Sequence, residues 1–163
     1  MNKVVCIIPA RSGSKGIKNK NIKNFKKKPL IFYTIDFAKK LNFIDKIIFS
    51  TDSKKYLNIA NQFYNFGQKL RPKKFANDKS KAIEYVNHEL KKLKNINNYK
   101  NLLLLQPTSP FRKRSDFKKA FEMIKSNKCD TVITSKLVKE HPLLMHTYNN
   151  HVTFYTKNYK KAF

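Results

Sequence analysis

Long apolar runs are missing from this chain. No stretch approaches the roughly 18 apolar residues of a membrane span. The N-terminus offers only Val4 to Ile8 before Pro9, short of the roughly 7 to 15 residues of a signal peptide. The expectation is a soluble, cytoplasmic protein. Cysteine is almost absent as well. Cys6 and Cys129 stand alone, with no His or Cys at metal spacing beside them, which leaves neither a zinc site nor a disulfide framework. Both read as reduced structural thiols, with Cys6 facing a core from a strand.

Acidic residues are scarce too: 10 Asp and Glu stand against 36 Lys and Arg, a formal charge of +26 over 163 residues. Such a charge raises a nucleic-acid-binding module as one reading. Two features weigh against it. Only Arg11, Arg71, Arg112 and Arg114 are arginines, and 18 asparagines accompany the lysines, a bias that AT-rich coding produces unaided. The lysines are also scattered (Lys26 to Lys28, Lys39 to Lys40, Lys91 to Lys94, Lys118 to Lys119) rather than gathered with stacking aromatics on one face. Most read as solvated surface, although their field draws small anions.

What is present is an alternation of buried and amphipathic segments. Lys3 to Pro9, Lys46 to Ser50, Asn101 to Gln106 and Asp130 to Ser135 read as buried strands. Between them, Pro29 to Leu41 fits a helix with proline in its first turn; Ser53 to Phe66, Lys79 to Leu93 and Ser115 to Lys125 have helical spacing, with Ser115 as an N-cap. This rhythm implies crossover units and an α/β fold, a mainly parallel sheet with helices on both faces. The C-terminal stretch alternates around Asn149-Asn150, a hairpin signal, and ends without a further helix or strand. Residues 1–163 therefore read as a single domain, incomplete at its C-terminus.

Glycine is the scarcest small residue, and two of its three copies lie in one loop, ARSGSKG, after the first strand. Open α/β sheets bind ligands at the carboxyl ends of their strands. Gly13 and Gly16 would let backbone amides turn toward an anion, Ser12 and Ser14 add hydroxyl donors, and Arg11, Lys15, Lys18 and Lys20 supply charge. A Gly-Ser surface loop in a lysine-rich chain is the plainer alternative. Neither the Walker spacing nor GxGxxG fits.

The segment IIPARSGSKGIKNKNIK resembles the nucleotide-binding opening of the acylneuraminate cytidylyltransferases, the CMP-sialic acid synthetases. IIFSTDS, LRPKKFANDKS and LLLLQPTSPFR follow in the family's order, so the likeness runs from Val4 to Arg114 and more weakly through EHPLLM. It implies a Rossmann-like nucleotidyltransferase that transfers CMP from CTP to a nine-carbon 2-keto sugar acid, N-acetylneuraminate or the related legionaminate or pseudaminate, releasing pyrophosphate. On that basis Arg11 and Lys20 would be catalytic, stabilising phosphate charge. Arg11, Ser14, Lys20, Asn21, Arg71 and Ser80 would bind the nucleotide, with Asn21 near the base. Gln106, Thr108, Ser109 and Arg112 would bind the sugar acid.

The Kdo cytidylyltransferases resemble this chain in their opening but carry an acidic metal-binding motif where Pro107 to Pro110 stand, so they are the alternative within the same chemistry. Asp52 and Asp78 are the acidic residues nearest the expected site, and each also reads as a turn or cap residue. His141 falls in the segment similar to the family's sugar site; His88, His146 and His151 read as surface or sheet residues. The family implies Mg²⁺ and a homodimer, through an aspartate-rich motif and a dimerisation segment beyond this chain's end, so the metal ligands are not identifiable here. Lys81 and Ala82 also depart from the family's small hydroxyl residues.

Overall fold

In the computed structural model of the chain, residues 3–135, 146–149 and 151–154 are described. The chain divides into two compact units, Met1–Lys119 and Ala120–Phe163. The first is built on a parallel sheet in the order β4-β1-β5, with β1 (Lys3–Pro9) between β4 (Lys46–Ser50) and β5 (Tyr99–Leu104). Cys6 pairs with Ile47 on one side and with Leu103 on the other.

A central strand covered on both faces should be apolar at every position rather than at alternate ones. Val4 through Ile8 are all buried. Side chains of one strand alternate between faces. Cys6 and Ile8, with Ile47 and Phe49, pack on Ile31, Ile35 and Ala38 of α1 (Leu30–Lys39) and on Tyr56, Leu57 and Ala60 of α2 (Lys54–Asn61). Full burial of each Ile or Leu contributes about 1.5–3 kcal/mol. Ser50, the neighbour of Phe49, points the other way and donates its hydroxyl to Glu89 of α3 (Ala82–Leu90), 2.8 Å away. Helices thus cover both faces, as the alternation of segments implies.

Cys6 is fully buried, and desolvation pushes its thiol up to about 12, which makes it an inert core residue at neutral pH. Two short strands, β2 (Asn24–Phe25) and β3 (Lys28–Pro29), form an antiparallel pair before α1 that sequence periodicity does not signal. Pro29 therefore ends β3 and caps α1 rather than lying inside its first turn.

Three helices are shorter or shifted relative to their sequence patterns. The α2 helix stops at Asn61, whose side chain accepts from the Phe66 amide and donates to the Gly67 carbonyl, turning the chain out of the helix. The α3 helix starts at Ala82, where the Glu84 carboxylate accepts from the Lys81 amide. The α4 helix (Arg114–Lys125) begins at Arg114, so Ser115 lies in its first turn and is not the N-cap. Residues Asp130 to Ser135 form no strand: Ile133 is 82% exposed, and an isolated apolar run without a pairing neighbour has no ladder to join.

In the second unit, β6 (His146–Asn149) and β7 (His151–Phe154) pair antiparallel, in agreement with the hairpin signal, while Asn150 at the turn lies outside the described residues. His141 also lies outside them.

Candidate functional site

The loop after β1 is held at both ends. Ala10 donates its amide to the Ser50 carbonyl, continuing the sheet by one residue. The Asp52 carboxylate then accepts from the Ser12 amide at 2.9 Å and the Ser12 hydroxyl at 2.8 Å. Further on, the buried Asn21 donates its side-chain amide to the Arg11 carbonyl at 3.1 Å, from a single 3-10 turn spanning Lys20–Ile22. Tyr56 donates its hydroxyl to Asn19, which holds the left-handed φ of 56° that starts this turn. Asp52 is therefore a tie for the loop, and the N-cap of α2 is its neighbour Ser53, which accepts from the Tyr56 amide. Gly13 and Gly16 do not hold a left-handed φ, and a Cβ at either would meet open space. The conformation does not demand glycine; the absent side chains leave room over the loop.

Across from the loop lies the segment after α2. The Arg71 amide donates to the Thr51 carbonyl at 2.7 Å, which sets the residue at the end of β4. Arg71 is only 3% exposed, its guanidinium stacks 4.9 Å from the Tyr85 ring centroid, and its Nε and Nη2 have no hydrogen-bond partner. Burial lowers its pKa, opposed by the fields of Asp52, Tyr85 and Glu89. Nearby, Asp78 takes Arg11 at 2.5 Å and Lys15 at 2.8 Å. Hydrogen bonds from Lys15 and Arg11 hold its carboxyl below the usual range. The Ser80 hydroxyl donates to the Lys74 carbonyl and accepts from the Asn77 amide.

Between these walls is a cleft of about 530 Å³, within the range of small-molecule sites. Arg11, Ser14, Lys20, Asn21, Arg71, Ser80, Gln106 and Thr108 all line it. These residues come from three separate stretches of sequence, and the fold brings them to the carboxyl ends of the strands. Ser109 and Arg112 do not line it. The Ser109 amide closes a turn onto the Gln106 carbonyl. Arg112 donates to the Thr34 hydroxyl of α1 at 3.1 Å and to the Gln106 carbonyl, with its guanidinium 5.8 Å from the Phe37 ring centroid. It acts as a brace behind the Gln106 turn rather than as part of the cleft wall.

Sequence reasoning missed Tyr85, Phe75 and Asn77 on the lining. The one available signal was the spacing of Tyr85 and Glu89, which places them on one face of a helix. His88 stacks against Phe75 with ring centroids 4.9 Å apart and does not line the cleft.

Four cations, Arg11, Lys15, Lys20 and Arg71, line the cleft with Asp78 as the one carboxylate. Such a set receives a multiply charged anion, with arginine suited to bidentate contact with phosphate oxygens. It does not fit Mg²⁺. Among the described residues no group of three or more His, Cys, Asp or Glu is placed to hold a metal, Asp52 is engaged by Ser12 and Asp78 by two cations.

The first unit is thus a parallel α/β domain with a cation-lined cleft at its strand ends. The chain matches the Cytidylyltransferase family over residues 5–163 and belongs to it. It is 44% identical over 110 residues to an N-acylneuraminate cytidylyltransferase of Escherichia coli O18:K1:H7, a stretch covering 68% of this chain and 25% of that one. It is 31% identical over 164 residues to a pseudaminic acid cytidylyltransferase of Campylobacter jejuni serotype O:23/36, covering 98% of this chain and 70% of the relative. In fold it is similar to a CMP:2-keto-3-deoxy-manno-octonic acid synthetase complexed with CTP, with a TM-score of 0.61 at 20% identity, over 77% of this chain and 48% of the other. The chain therefore spans a quarter of the first relative and about half of the structural one. Among the described residues no helix is long and apolar enough to cross a membrane.

Proposed function

We propose that this chain supplies the CTP-binding part of a cytoplasmic cytidylyltransferase that transfers CMP to a nine-carbon 2-keto sugar acid in sialic acid-type biosynthesis. In the reaction the sugar's anomeric hydroxyl gives up its proton to solvent and its oxygen bonds to the α-phosphorus of CTP, while the bond from that phosphorus to the departing pyrophosphate breaks. The single observation that carries the reading is Arg71. A buried guanidinium with two unpartnered donors, in a cleft that also holds Arg11 and Lys20, calls for an anionic partner.

In this reading Arg11 and Lys20 contact the phosphates and stabilise their charge during transfer. Ser14 and the loop amides add donors, and Asn21 and Ser80 flank the base. Gln106 and Thr108 line the same cleft, where they orient the sugar acid. Arg112 and Ser109 shape the Gln106 turn from behind. Mg²⁺, when bound, would offset triphosphate charge and polarise the phosphoryl group. Because the described residues offer it no ligand set, no step is assigned to it. Homodimerisation belongs to the same reading, by analogy with the family.

Calorimetry with CTP tests the proposal. CTP should bind, and Arg11→Ala should weaken it by about 1.5–3 kcal/mol, the scale of a hydrogen bond to a charged group. Equal affinity in the folded variant would remove the phosphate assignment. Pyrophosphate release with N-acetylneuraminic, legionaminic and pseudaminic acids then ranks the acceptors. Tight, sequence-selective oligonucleotide binding at physiological salt would instead favour a nucleic-acid function.

A further inference from the structure

A guanidinium presents its donors in one plane, so their direction is set by whatever fixes that plane. Hydrogen bonds usually do this. In Arg71, Nε and Nη2 have no such bonds. The two carboxylates whose fields reach Arg71, Asp52 and Glu89, are turned to other partners: Asp52 to the Ser12 amide and hydroxyl, Glu89 to the Ser50 hydroxyl and, at 2.9 Å, to the Lys92 ammonium. What lies beside the guanidinium is the Tyr85 ring, with Cζ placed over it 4.9 Å from the centroid.

The ring is itself held in place. Tyr85 is carried by α3, and on the same helix Val86 is buried while Glu89 is anchored to Ser50 at the end of β4. Thr51, the next residue, accepts the Arg71 amide. Helix, ring and guanidinium are therefore referenced to the same strand end. Both Tyr85 and Arg71 line the cleft.

We propose that Tyr85 is a positioning residue whose ring holds the Arg71 guanidinium in its place on the cleft lining, set for the phosphates of a nucleotide. It acts through Arg71 and not on the reacting atoms, and it lowers the ordering cost of binding by setting the receptor geometry before the ligand arrives. The inference rests on the reading of the cleft as a nucleotide site.

The experiment is a calorimetric double-mutant cycle with CTP on the whole chain, using Tyr85→Phe, Tyr85→Leu, Arg71→Met and the Arg71→Met/Tyr85→Leu pair. Tyr85→Phe keeps the ring and should bind within about twofold of the unaltered chain, whereas Tyr85→Leu should bind about three- to tenfold more weakly, the range of a stacked cation. In the Arg71→Met background the leucine should have no further effect. A leucine loss that persists undiminished there would overturn the inference, because the ring would then act without Arg71. If Arg71→Met binds CTP as the unaltered chain does, the nucleotide reading of Arg71 fails, a pattern distinct from the first. Should Tyr85→Leu not fold, the Arg71 Nε–H resonance, identified by its loss in Arg71→Met, decides. An upfield ring-current shift in both the unaltered and Tyr85→Phe proteins supports the stack, and a shift typical of a free arginine overturns it.

Discussion

Arg71 and Arg112 make a controlled pair. Each guanidinium lies over an aromatic ring, Tyr85 at 4.9 Å and Phe37 at 5.8 Å, and burial lowers the pKa of each. They differ in where their donors go. Arg112 joins α1 to the turn after β5 through Thr34 and the Gln106 carbonyl, while Arg71 leaves Nε and Nη2 without partners inside a cleft of four cations. One arginine completes the fold; the other, in the proposed reading, is completed by a ligand. A buried charge that is paired holds structure together, and one that is unpaired is a cost tolerated for binding.

The largest expected effect breaks the pair on the ligand side. Arg71→Met should weaken CTP binding by about 2–3 kcal/mol, the loss of hydrogen bonds to a charged group, and should leave the thermal midpoint equal or higher, because an unpaired buried charge is removed. Calorimetry and thermal melts report the two quantities separately. A lowered midpoint with unchanged CTP affinity would make Arg71 a structural residue like Arg112.

Arg112→Met should show the reverse. It leaves the fully buried Thr34 hydroxyl and the Gln106 carbonyl without their donor, a destabilisation of about 1–3 kcal/mol, with CTP affinity nearly unchanged. Urea unfolding measures the first. A CTP loss as large as that of Arg71→Met would place Arg112 in the ligand site after all.

This contrast was the part least legible in the sequence. The bounds of β1 and β4 follow directly from unbroken apolar runs, and the α/β alternation gave the layers. Local pattern failed where tertiary partners decide. The Asn61 side chain ends α2 early, and the residues from Asp130 to Ser135 look like a strand but pair with nothing among the described residues. For the site, the fold brought eight of the ten residues named from resemblance to one cleft. Resemblance could not say which way Arg112 points, because that depends on Thr34, far away in sequence and on another element. Nor did any sequence signal mark Tyr85 as the partner of Arg71.

A smaller effect concerns the charge on the Arg71 side of the comparison. Asp78 holds Arg11 and Lys15, so in the proposed reading phosphate competes with its carboxylate for both cations. Asp78→Asn should therefore tighten CTP binding, and only modestly, because exposed ion pairs contribute little. A carboxylate is ionised through the neutral range in any case, and the hydrogen bonds from Lys15 and Arg11 lower its pKa further, so the competition persists at physiological pH. Calorimetry without and with Mg²⁺ gives the sign. Weaker binding in the variant, confined to Mg²⁺, would make Asp78 a cation ligand instead.

The smallest effect is a pH dependence on the same side. His88 stacks on Phe75, a residue lining the cleft, and its Nε2 is buried without a partner. Burial lowers its pKa, as do Lys92, Lys74 and Arg71, with Glu89 opposing. For a base whose folded pKa lies below its unfolded value of about 6.5, the folded state binds fewer protons. Its contribution to stability is then whole above that value and is lost as pH falls from there toward the folded pKa. The thermal midpoint should fall between pH 7.5 and 5.5, and His88→Phe, which keeps a ring against Phe75, should reduce that fall. An identical pH profile in the variant would show that His88 is solvated in both states, and that the excess positive charge around Arg71 does not extend to the residues packed behind the cleft wall.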